Sequence, residues 1–67
     1  MNLEFRAGKY NQILVTAWLS YKEIQIETKD RTDGEYCTEI IEDYESPEET
    51  KKAFYGLMKL MKGEQVK

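Results

Sequence analysis

A chain of 67 residues with net charge −3, 34% charged and 40% hydrophobic side chains, is one domain near the lower size limit for folding without staples. One cysteine and no histidine exclude an internal disulfide, a four-ligand Cys/His zinc site and any Ser-His or Cys-His catalytic pair. No window reaches the roughly 18 apolar residues of a membrane span, and MNLEFRAGKY lacks the basic-then-apolar order of a secretory leader, so a cytoplasmic setting is expected.

In chain order, NLEFRA comes first, with Leu3, Phe5 and Ala7 alternating with Glu4 and Arg6, the period of a half-buried strand. NQILVTAWLS follows, with Ile13, Val15, Ala17 and Leu19 on one face and Gln12, Leu14, Thr16 and Trp18 on the other. Setting Phe5 opposite Ile13 leaves a three-residue loop of Gly8, Lys9 and Tyr10. In EIQIET, Ile24 and Ile26 alternate with glutamate and glutamine. Setting Leu19 opposite Ile24 leaves the turn SYKE. Asp33-Gly34 marks a turn before a fourth strand, EYCTEIIEDY, whose adjacent Ile40 and Ile41 leave its inward face undecided.

The last element is a helix with both ends marked. Ser46 stands at the N-cap, Pro47 at the first helical position and Glu49 three after the cap, while Gly63 follows Lys62 as a stop. At about 100° per residue, Ala53, Phe54, Leu57, Met58, Leu60 and Met61 fill an apolar arc. Lys51, Lys52, Tyr55, Lys59 and Lys62 take the other side. The expectation is an α+β fold: a four-stranded antiparallel meander over residues 1–63 with the C-terminal helix on one face (ββββα, two layers), and a short polar tail at 64–67. The order resembles single-stranded-DNA-binding coactivator domains in topology alone, with no residue motif beside it.

Charge is segregated along the chain. Residues 1–34 balance, residues 35–50 carry seven acids and no base, and residues 51–67 carry five lysines against Glu64. Helix dipole preference, acids before and lysines after, accounts for this order; the alternative is a surface with two poles that binds a charged partner.

No catalytic, cofactor-binding or metal constellation is legible. There is no phosphate-cradling glycine loop, DRTDGE lacks the spacing of a calcium loop, and Cys37 lies among glutamates that disfavour a thiolate. Glu42, Asp43 and Glu45 are neighbouring carboxylates, but so small a domain offers little concavity to poise them. The chain is therefore expected not to be an enzyme. Leu14 and Trp18, pointing away from the helix, with Glu39, Glu42, Asp43 and Glu45, are the expected contacts of a protein partner. An accessory, adapter or inhibitor protein of bacterial or phage type fits that profile. A single-stranded nucleic-acid binder is the alternative, with Lys51, Lys52, Tyr55, Lys59 and Lys62 on phosphates, though an acidic chain argues against it. A homodimer closing the open sheet face is the third reading.

Overall fold

The computed structural model describes residues 2–29 and 36–66. The elements run β1 (Asn2–Ala7), β2 (Ile13–Trp18), a 3-10 turn (Leu19–Tyr21), β3 (Glu23–Lys29), β4 (Tyr36–Ile41), α1 (Pro47–Met61) and β5 (Glu64–Val66). All pairs are antiparallel, in the order β4-β3-β2-β1-β5, with α1 across one face. This is an α+β fold with one strand more than the alternation foretold. The supposed tail supplies it: Glu64 pairs with Arg6 and Val66 with Glu4, satisfying backbone on the outer side of β1. Three residues are too few for a periodic signal, so the pattern is silent there. The Asp33-Gly34 turn lies outside the described residues.

Both hairpin registers differ by two residues from those expected. Phe5 faces Val15 rather than Ile13, and Ala17 rather than Leu19 faces Ile24. A period of two assigns each side chain to a face but cannot distinguish registers that differ by two. Loop chemistry decides. Gly8 (φ 94°) and Asn11 (φ 55°) take left-handed backbone, Asn11 N–H reaches Gly8 O at 3.2 Å, and Tyr10 N–H reaches Gln12 Oε1 at 3.0 Å. The loop is thus five residues, 8–12. Lys22 in the left-handed region closes the 3-10 turn between β2 and β3.

Register also settles β4. Ile41 faces Ile24 and Glu39 faces Ile26, so odd positions lie on the helix side, while Ile40 faces Gln25 on the uncovered side. The core is Phe5, Ala7, Val15, Ala17, Ile24 and Phe54, ringed by half-buried neighbours that include Leu19, Tyr44, Leu57 and Met61. Phe5 and Phe54 meet edge to face with centroids 5.2 Å apart, joining sheet to helix. Leu60 departs from the expected arc and is 82% exposed. The contact centres on Phe54 and Thr50, both fully buried, and Leu60 lies about 120° around the helix from Phe54.

Candidate functional site

Helix α1 lies over β1, β2 and β3 on one side only. The other broad face carries Glu4, Arg6 and Asn2 from β1, Leu14, Thr16 and Trp18 from β2, and Glu23, Gln25, Glu27 and Lys29 from β3. Thr38 and Ile40 of β4 and Glu64 and Val66 of β5 complete it. Trp18 is half-buried, anchored by its indole N–H, which donates to Gln25 Oε1 at 3.3 Å. Gln25 in turn donates through Nε2 to Glu27 Oε1. The ring therefore lies along the face over neighbouring polar stems. With Leu14 half-buried beside it, Thr16 at the sheet centre becomes 93% hidden. Ile40 and Val66, at opposite edges, are the exposed apolar residues here (53% and 38%). Five glutamates on this face, counting Glu42 beyond β4, stand against Arg6 and Lys29.

One end of the face deepens into a cleft of about 370 Å³, lined by Tyr21, Lys22, Glu23, Glu42, Asp43 and Tyr44. Two backbone features shape it. Lys22 and Asp43 both adopt positive φ (56° and 75°), reversing the chain on either side of the β3–β4 end. Glu23 then faces Glu42. Burial, the hydrogen bond with Glu42 and that residue's charge together push the Glu23 carboxyl above its ordinary value. Two full charges held this close repel, and that repulsion disfavours the ionised form of Glu23. The lining mixes charged side chains with two tyrosines and is broadly open to solvent. Among the described residues, no group of three or more Cys, Asp or Glu is placed to hold a metal.

The structure separates the residues that sequence reasoning had grouped. Trp18, Glu23 and Glu42 fall in one line across β2, β3 and the end of β4. Asp43 joins them in the cleft. Glu39 points to the opposite side, facing Ile26 beyond the reach of the helix, and is exposed. Glu45 is exposed in the connection to α1. Cys37 is exposed on the same side of the sheet as Glu39, outside the main contacts of α1 with β1, β2 and β3. Lys51, Lys52, Tyr55, Lys59 and Lys62 do form one exposed stripe on the outer side of α1, with Glu48 among them. Tyr55 is held by an edge contact with Phe54 (centroids 5.3 Å apart).

Sequence reasoning missed Tyr21, Lys22, Glu23 and Tyr44 as cleft residues. Their signal was the register: once Trp18 faces Glu23, the next strand must bring position 42 alongside. No helix of the described residues is long and apolar enough to cross a membrane. Comparison of the chain with protein-family models, with curated protein sequences and with solved structures finds no match.

Proposed function

We propose that this chain is a small non-catalytic protein-binding module, an accessory, adapter or inhibitor protein, that presents its uncovered sheet face to a partner with a basic surface. The observation that carries the reading is the line Trp18–Glu23–Glu42: a large apolar ring beside a carboxylate pair at the mouth of a cleft. An aromatic anchor gives contact area, and carboxylates next to it select a lysine or arginine from the partner. The same charges argue against two copies closing face to face, since glutamates would then meet glutamates. An exposed Cys37 thiol is compatible with action in the reducing cytoplasm.

The test is affinity capture followed by titration of the captured protein against the wild type, Trp18→Ala and the double variant Glu23→Gln/Glu42→Gln. Trp18→Ala should weaken binding by about 30-fold or more, the size of a hot-spot loss of ~2 kcal/mol, with circular dichroism unchanged. The double variant should lower the dependence of affinity on salt. Equal affinity for all three proteins would sink this assignment. The lysine stripe of α1 supports a second reading, contact with single-stranded nucleic acid. In that case a fluorescent oligonucleotide would bind at low salt, and neutralising Lys51, Lys52, Lys59 and Lys62 would abolish binding.

A further inference from the structure

The two edges of the sheet are unlike. β5, at one edge, is only three residues long, and a very short edge strand is one of the ways proteins keep edges from pairing. β4, at the other, runs six residues and, among the described residues, pairs with β3 alone. Its ladder is unbroken from Ile24 opposite Ile41 to Lys29 opposite Tyr36, so no bulge twists it away. It contains no proline, lysine or arginine, and none of its residues has positive φ. Helix α1 packs mainly on β1 to β3, Cys37 and Glu39 are exposed on its side of the sheet, and Thr38 and Ile40 are exposed on the uncovered side. Among the described residues, alternate N–H and C=O groups along the outer side of β4 therefore lack a strand partner, a row of directional bonds open to another strand.

We infer that β4 pairs with β4 of a second copy, edge to edge and antiparallel, joining two five-stranded sheets into one of ten strands about a twofold axis. The register argues for this occupant. When identical strands pair antiparallel, facing positions sum to a constant, and keeping both helices on one side of the joint sheet requires an even sum. Two such registers overlap five residues of β4. One sets Glu39 against Glu39 of the second copy, which like charges disfavour. The other sets Thr38 against itself, Glu39 against Cys37 and Ile40 against Tyr36, opposing no two carboxylates. Registers one step further out on either side overlap only three residues. Self-pairing centred on Thr38 thus combines the long overlap with the absence of charge conflict. Glu39, on the helix side of an edge strand, acts as the register key by penalising the competing alignment. The joint buries an exposed β-branched residue, Ile40, and leaves the acidic face free on both copies, so it stands apart from the proposed partner site.

The full chain tests this by light scattering coupled to size exclusion over a dilution series, with a cysteine probe alongside. The expected mass rises from one chain toward two with concentration. Ile40→Lys should remain at one chain with unchanged circular dichroism. Thr38→Cys in a Cys37→Ser background, air-oxidised, should run as a covalent dimer on a non-reducing gel. The wild type, whose Cys37 faces Glu39 rather than itself, should not. A single-chain mass at every concentration overturns the proposal. So does a dimer that survives Ile40→Lys while Thr38→Cys fails to cross-link, because the contact would then lie elsewhere.

Discussion

Glu23 illustrates how a residue acquires character from its neighbours. In the sequence it is one glutamate among many, but the ladder places it beside Glu42, and its carboxyl is pushed up. A carboxyl that titrates higher in the folded state than in the unfolded one adds stability at low pH. That contribution is lost as pH rises from the ordinary glutamate range through the raised folded value. Glu23→Gln keeps a donor for Glu42 without the second charge. Thermal melts across pH 4 to 8 should show a flatter pH dependence for Glu23→Gln and a higher midpoint than wild type at neutral pH. An unchanged slope would mean the pair does not repel. Gly63 is the second case. Its sequence role was that of a left-handed helix stop, but the left-handed residue is Lys62 (φ 52°). Gly63 is required because a Cβ there would run into the Phe5 ring and come within 2.9 Å of the Arg6 carbonyl oxygen. Composition announced a glycine at the right place. Only three-dimensional proximity gives its reason.

Among the elements, α1 was the most legible because its ends are written in short-range chemistry. Ser46 Oγ accepts from Glu49 N–H at 3.2 Å, and Lys62 and Gly63 N–H return to the Lys59 and Met58 carbonyls. The packed face was read with two errors, Leu60 included and Thr50 left out, because an apolar arc does not say where its centre docks and a buried threonine is not apolar. Inside the helix, Gly56 meets nothing within 4 Å of an added Cβ. Gly56→Ala should therefore stabilise by about 0.5–1 kcal/mol, a rise in melting midpoint of about 2–8 °C. A fall instead would reveal a crowded backbone at that turn. The strands were legible as elements and as faces but not as a register, and β5 was not legible at all. Their pairing depends on loops whose left-handed residues include Lys22, which carries no turn signature, and Asn11, which suits that conformation but does not say how long the loop is.

At the scale of the molecule, two layers meet through few large side chains. Phe5 and Phe54 are both fully buried and touch each other across the interface. Truncating a buried phenylalanine costs roughly 3–5 kcal/mol. A domain of 67 residues holds only about 3–10 kcal/mol at ~0.05–0.15 kcal/mol per residue. Phe54→Ala should be substantially unfolded at 37 °C by circular dichroism, and a midpoint within a few degrees of wild type would show that other contacts dominate. Charge is arranged at this scale too, with lysines on the outer side of α1 and glutamates on the far side of the sheet. That polarity could be counted along the chain but acquired its direction only from the fold.

Gly63 ties those layers in another way. The chain leaves α1, passes against the Phe5 ring and at once joins the sheet as β5, bound to the outer side of β1. The helix is therefore tethered at both ends, by the connection from β4 and by a strand that clips onto the opposite side of the sheet. Lifting its C-terminal turns requires either breaking β5 from β1 or unwinding Lys62 and Gly63, so fraying there and peeling of the sheet edge become one event. The end of α1 and the outer edge of the sheet are thereby coupled, so that loosening one loosens the other.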